Sequence, residues 1–413
     1  MILQNETIKA RLKAIAEDVI ARCTFPTETA YGHADLLLPA GDNGYPAFWI
    51  RDCALMMQSG LVPPAVMRQA IETTARYGQN GPCDLHLKNG LIVPAWTVAD
   101  HINHNGRPVF YPGTGSDGDD QGNGNCGFYP PLDDNGFFIT MVGSYLAVTG
   151  DRAILDENFS GVPLIDRLVH AWNAMTVDAE TGLCVTGDPF YAVDFGFHDT
   201  IRKSGLLLPA SLIRRMAAET LARLFTVRGD TENAGYYASA VRELDDAIVR
   251  TFYDAETGWF YSATGIGHQH DVWGTAVAAY LGLLSGDALR KTAKALYDGY
   301  RTGTTVCKGS VRQIPTNENF SDTTMWECAH TKTDYYQNGC FWPTPTGFYA
   351  AVLAEYDPAA AEELLLAFIL HTEEHWSEDA PWEWMNPEET LIGMRIYGTS
   401  ATGPYAAVQM LIY

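Results

Sequence analysis

The stretch KSGLLLPASLIRRMAAETLARLFTVRGDTENAGYYASAVRELDDAIVRTFY, residues 203–253, governs how the rest of the chain is read. Apolar residues recur in it at the three- and four-residue steps of an α-helix, on both sides of a break at Gly229-Asp230. So short a break returns the chain antiparallel to itself and predicts a helical hairpin, with helices over 203–227 and 230–253. Outward from there, the same periodicity predicts helices over 5–22, 51–60, 64–78, 134–149, 152–176, 270–284, 286–301, 343–356, 358–376 and 399–412. Short breaks at Gly150-Asp151, Gly286-Asp287 and Asp357-Pro358 make further pairs. Helical pairs of this kind can close into a double ring, inner helices lining a funnel and outer helices covering them. The expected fold is all-α, a single (α/α)6 barrel over residues 1–413. An open α-solenoid would need more uniform repeats and shorter connections.

Between pairs the connections are long and rich in glycine and aromatics, at 25–50, 79–133, 177–202, 302–342 and 377–398. Long loops in a compact protein are usually where function sits. Two of them hold the same turn, Asp178-Ala179-Glu180-Thr181-Gly182 and Asp254-Ala255-Glu256-Thr257-Gly258, and each predicts a short β-hairpin after a helix. The 413 residues include 50 acidic and 27 basic side chains, a formal charge of −23, which excludes a nucleic-acid binder working by phosphate neutralisation. With 46% hydrophobic and 19% charged residues, the chain can bury a large core. Residues 1–21 read as an amphipathic helix rather than a signal peptide, and no run of about 18 apolar residues predicts a membrane span. The eight cysteines are scattered without metal spacing, which favours free thiols in the cytoplasm.

The loops are stocked with tryptophan, tyrosine and carboxylates, notably at Phe48-Trp49-Ile50-Arg51-Asp52, Tyr335 to Trp342 and Trp382-Glu383-Trp384. Flat aromatic faces match the C–H surface of a pyranose while acids and amides bind its hydroxyls, so the expected partner is a small saccharide or glycoside. Cleaving a glycosidic bond takes a proton for the leaving oxygen and help at the anomeric carbon, in most families from two carboxyl groups. Asp199, among the aromatics of Phe195-Gly196-Phe197-His198-Asp199, is the candidate acid, with Asp194 as its rival; Asp199 would alternatively cap the helix that follows. Glu383, between two tryptophans, is the candidate base or a hydroxyl-binding group, and Glu327 is a third carboxylate to weigh. No serine-nucleophile elbow, Walker loop or dinucleotide fingerprint occurs, so no cofactor is expected. No catalytic metal is expected either: His268 and His270 stand two apart, and His-Glu-x-x-His does not occur. Asp117-Gly118-Asp119-Asp120 is a weak calcium candidate, since an EF-hand would want an acid where Phe128 stands.

The order of these segments resembles the six-hairpin glycosidases, which include trehalases, glucoamylases, processing α-glucosidases and the glucosidase part of glycogen debranching enzymes. Trp49-Ile50-Arg51-Asp52, followed by Gly60-Leu61, is similar to the early segment whose arginine and acid hold the terminal sugar in those families. Asp133-Asp134-Asn135-Gly136 looks like their acidic second-hairpin start, and Gly196-Phe197-His198-Asp199 with Arg202 resembles the segment presenting the general acid. Tyr336-Gln337-Asn338-Gly339, running through Trp342-Pro343, is similar to the segment that closes over the sugar. Glu383-Trp384-Met385-Asn386 resembles the surroundings of the general base, and Tyr397 to Ala401 the final segment before the last helix.

What the resemblance implies is an inverting, exo-acting glycoside hydrolase on an α-glucoside or related small saccharide. Asp199 would be its acid and Glu383 its base. Arg51 and Asp52 would grip the sugar, Trp49, Trp342, Trp382 and Trp384 would wall it, and Phe197, Tyr336, Gln337 and Asn338 would add contacts. Two other classes compete: a sugar isomerase or epimerase using His268 and His270, and a non-catalytic saccharide-binding protein. Oligomeric state has no reading in the sequence.

Overall fold

The computed structural model describes residues 3–29, 32–42, 44–88, 90–110, 121, 131–186 and 200–409. Among them the α-helices are α1 (Glu6–Cys23), α2 (Ile50–Met57), α3 (Pro64–Thr73), α4 (Asp134–Thr149), α5 (Leu164–Ala174) and α6 (Leu208–Arg228), followed by α7 (Thr231–Phe252), α8 (Val272–Tyr280), α9 (Gly286–Thr302), α10 (Thr346–Leu353), α11 (Pro358–Glu374) and α12 (Gly398–Thr402). They are of two kinds. Helices α2, α10 and α12 bury every residue, α8 all but Tyr280, and α4 everything from Asp134 to Tyr145. A helix apolar or buried all round belongs in the middle of a protein. By contrast α9 buries only Thr292, Ala293, Leu296 and Gly299, and α7 only Tyr237, Leu244, Ala247, Ile248 and Phe252, each a single stripe at helical spacing.

The buried helices touch in chain order: α2 packs on α4, α4 on α6, α6 on α8, and α8 on α10. Helix α10 then meets the 3-10 turn Pro404–Ala407, and α12 meets α2. The one-sided helices lie against them, α5 on α4 and α6, α7 on α6, α9 on α8 and α10, and α11 on α10, while α1 lies against α11 and α12. The pairs expected across Gly150, Gly229, Gly286 and Asp357 are thus neighbours in space. Close approach of α4 to α6 depends on two glycines, because a Cβ on Gly136 would lie 2.7 Å from Ile213 Cγ2 and one on Gly143 2.6 Å from Thr220 Cγ2. Each glycine costs the helix about 1 kcal/mol of propensity, which the packing must offset.

Two expected helices are broken. The one predicted over 152–176 is a 3-10 turn Arg152–Asp156, then an antiparallel pair Asn158–Phe159 with Val162–Pro163, and only then α5. Gly161 takes φ 87°, and Pro163 has no N–H to continue a helix, so the chain turns there and restarts. Likewise the helix expected over 399–412 stops at Thr402 before Pro404, and residues beyond 409 lie outside the described ones. Both repeated turns are present as expected. Asp178 accepts from the Thr181 N–H and Asp254 from the Glu256 N–H, and single antiparallel bridges close them, Val177 with Cys184 and Tyr253 with Phe260. Among the described residues no helix is long and apolar enough to cross a membrane.

Candidate active site

Helix α2 begins with the sequence Ile50-Arg51-Asp52 directly after the strand Ala47–Trp49, which pairs with His101–Asn103. The turn from strand to helix places Arg51 inside the protein, 2% exposed. Its guanidinium forms a two-bond fork on Asp133 (Nε to Oδ2 2.9 Å, Nη2 to Oδ1 2.8 Å) and reaches Asp134 at 3.2 Å and Asp100 at 3.4 Å. Asp133 and Asp134 open α4, where the helix dipole favours negative charge. Asp100 also meets His101 Nδ1 at 2.8 Å. Burial lifts the Asp134 carboxyl well above the ordinary range, against the pull of Arg51 and with the push of Asp133. Asp52 accepts from the Tyr397 hydroxyl at 2.8 Å. Burial pushes its carboxyl up to about 6, and the Tyr397 hydrogen bond and the Arg51 charge only partly offset that.

Glu383 is 2% exposed, its N–H bonded to the Met394 carbonyl at 2.8 Å. Its carboxylate receives the Tyr45 hydroxyl at 3.1 Å and the Met394 N–H at 3.1 Å. Gly393 lies flat against this segment, since a Cβ there would be 2.6 Å from the Trp384 ring and 2.8 Å from Glu383 Cβ. The loop carrying Tyr45 is held to the far end of the chain by Gly41 N–H to Ile396 carbonyl (3.0 Å), Gly398 N–H to Pro39 carbonyl (2.8 Å) and an Ala40–Tyr397 bridge. Tyr45 also stands edge-on to Trp49 (5.6 Å) and Tyr397 (6.3 Å), so a chain of rings joins the Glu383 carboxylate to the Asp52 carboxyl. Burial first, then the Asp52 and Glu383 charges, hold the Tyr397 hydroxyl protonated far above its ordinary range.

The remaining expected residues divide. Trp49 is half-buried, stacks on His101 at 4.2 Å, and its indole N–H has no hydrogen-bond partner among the described residues. Tyr336 packs against Trp342 (5.3 Å) and Trp384 (5.9 Å), and Trp342 is fully buried against Trp273. Trp382 and Trp384 take different neighbourhoods: Trp384 joins Tyr335 and Tyr336, while Trp382 meets His371 and His375. Gln337 and Asn338 are fully buried and tie loops together. Gln337 Oε1 accepts from the Thr200 N–H and hydroxyl (2.9 and 2.6 Å), and Asn338 Oδ1 accepts from the Met325 and Trp326 N–H groups. Glu327 accepts from the Gly267 N–H. Asp194, Phe197 and Asp199 lie outside the described residues, as does the Asp117–Asp120 loop.

His268 and His270 stack on Tyr261, and His270 sits between Glu318 and Asp254, a neighbourhood with other partners than those of Glu383. Sequence reasoning missed Tyr45, Asp100 and His101. None sits in a motif, and the pairing of Ala47–Trp49 with His101–Asn103 is what brings the last two to Arg51.

No protein-family model matches this chain, and no curated protein matches it. Solved structures do. The GH63 mannosylglycerate hydrolase from Thermus thermophilus in complex with Tris superposes with a TM-score of 0.62 at 13% identity, over 96% of this chain and 100% of that one. A rhamnosidase from Klebsiella oxytoca with rhamnose bound gives 0.58 at 12% identity, over 98% of this chain. The GH78 rhamnosidase of Bacillus sp. GL1 also gives 0.58, at 14% identity and over 97% of this chain. The chain spans 64% and 34% of those two rhamnosidases. At such identities the likeness is one of fold, and the conclusion it supports is that this chain shares its helical architecture with glycoside hydrolases of families GH63 and GH78.

Proposed function

We propose that this chain is an inverting, exo-acting glycoside hydrolase acting on an α-glucoside or related small saccharide. The buried helices would close as the inner ring of a single (α/α)6 barrel over residues 1–413, with α12 meeting α2 at the seam. The observation that carries the reading is Glu383, a carboxylate 2% exposed that accepts from two neutral donors, the Tyr45 hydroxyl and the Met394 N–H. Hydrogen bonds from these donors fix the direction in which the carboxylate faces. In this reading Asp199 protonates the leaving oxygen as the glycosidic C–O bond breaks. Glu383 takes a proton from the water that attacks the anomeric carbon on the opposite face. The two carboxyls would then stand roughly 6.5–9.5 Å apart, leaving room for that water.

The Gln337 amide anchors Thr200, the residue next to Asp199, so its part is to hold the acid-bearing segment. Arg51 gives donors to Asp133, Asp134 and Asp100 and serves to set the acidic floor, while Asp52 and the indole N–H of Trp49 are the groups for sugar hydroxyls. Rhamnose, in one neighbour, and glucose, in another complex of the GH63 enzyme, are single hexose rings of the size expected here. The thiols among the described residues are all free, which suits a reducing cytoplasm.

A proton NMR time course on a panel of disaccharides and aryl glycosides tests this directly. Release of the β-anomer first from an α-linked substrate is expected. First release of the α-anomer would replace inversion with retention, and conversion of a free monosaccharide without any glycoside cleavage would replace the hydrolase with an isomerase.

A further inference from the structure

Beside Trp382, the residue before Glu383, three potential ligands converge. His371 and His375 are one helical turn apart at the end of α11, so their rings leave the same face of the helix. Glu389 faces them from the turn after Asn386. His371 Nε2 lies 2.5 Å from Glu389 Oε1 and His375 Nε2 lies 3.8 Å from Oε2. The three donor atoms all fall within 4.8 Å of one another. A tetrahedral zinc site with ordinary Zn–N and Zn–O bonds has ligand atoms about 3.3 Å apart, so side-chain rotation alone would bring these to bonding positions.

The surroundings are built as a metal site's usually are. His375 Nδ1 is engaged by the Glu378 carboxylate at 3.2 Å, which fixes the ring and turns Nε2 towards Glu389. Trp382 packs against both imidazoles, its centroid 5.6 Å from His371 and 5.0 Å from His375, and its indole N–H is tied to the Glu378 carbonyl. Glu389 sits at φ 57°, a left-handed conformation uncommon for glutamate that the surrounding fold must hold in place. The histidine and glutamate side chains are 12%, 20% and 17% exposed, open enough for an ion to enter. One cation already competes: Lys308 Nζ lies 2.5 Å from Glu389 Oε1.

We propose that His371, His375 and Glu389 bind a divalent transition metal, zinc or its neighbours in the series, for which two imidazoles and a carboxylate are suitable donors. The ligands bracket Glu383 in sequence, two before it and one after. The ion therefore staples the end of α11 to the turn beyond the Glu383 segment and leaves a position for water. It takes no part in the reaction proposed above and does not depend on it.

The test is titration of the chelator-treated full chain with Zn²⁺, by competition against a chromogenic chelator, and with Co²⁺, by its visible d–d absorption. One equivalent is expected to bind. His371→Ala should weaken it by more than the ~10–100-fold that loss of an outer partner costs. Glu389→Gln, which keeps the size of the side chain, should also weaken it, while Lys308→Met should tighten it by freeing the carboxylate. The proposal fails if no equivalent binds, or if Glu389→Gln and Lys308→Met both bind as the unchanged chain does.

Discussion

Two buried carboxylate neighbourhoods, linked through the rings of Tyr45 and Tyr397, are built in opposite ways. Around Arg51, the acids Asp100, Asp133 and Asp134 share one guanidinium through ion pairs. Around Glu383 a phenol and a backbone N–H supply the hydrogen bonds described above. The first arrangement gathers acids on a guanidinium; the second brings a hydroxyl and a backbone N–H to a carboxylate. Arg51 and Glu383 stand out equally in the sequence, yet the fold gives them partners of different kinds.

The contrast breaks most visibly at Arg51. Arg51→Met leaves buried acids without their cation and should cost about 3–5 kcal/mol in urea unfolding. A loss under about 1 kcal/mol would mean that the cluster is hydrated and not the closed unit described. On the other side, Asp199→Asn and Glu383→Gln should each lower turnover by at least ~100-fold with unfolding midpoints nearly unchanged. Should Asp194→Asn do so and Asp199→Asn not, the acid is Asp194.

Between the two regions stands Asp52, whose folded pKa of about 6 exceeds the roughly 3.9 of an unfolded aspartate. The folded state therefore holds the proton more tightly, and the stability it contributes is complete below pH ~3.9 and lost as pH rises to about 6. That is roughly 2–3 kcal/mol across the window. Asp52→Asn should flatten this part of the stability profile, measured by urea unfolding from about pH 4 to about pH 7. An identical slope in both proteins would place Asp52 in water. The smallest effect belongs to an exposed pair of the same chemistry. Arg11 and Glu373 are 31% and 47% exposed, and Arg11→Met should change stability by no more than about 0.5 kcal/mol.

Much of the helical framework was legible from apolar spacing. The helix expected over 134–149 is α4 to the residue, and α1, α7 and α11 begin and end within about two residues of expectation. Their ends carry local chemistry: Asn5, Asp230 and Asp357 cap the first turns through their side chains, and Gly150 and Gly229 take the left-handed conformation after the last. At 152–176 the apolar spacing suits a helix, but Gly161 at φ 87° and Pro163 turn the chain into a short hairpin before α5 begins. Glu383 stood out in the sequence by the tryptophans on either side of it. Its partner Tyr45 lies 338 residues away and had no local sign.

Helix spacing, caps and breaks act over a few residues, which is why the paired helices, the repeated aspartate turns and the acids worth suspecting could be read from the order of amino acids. Which acid shares a guanidinium, which tryptophan faces which ring, and that two histidines a turn apart meet a glutamate from another segment became fixed only when distant segments packed. Those outcomes depend on burial and on contacts between residues far apart in the chain, and no local pattern encodes either.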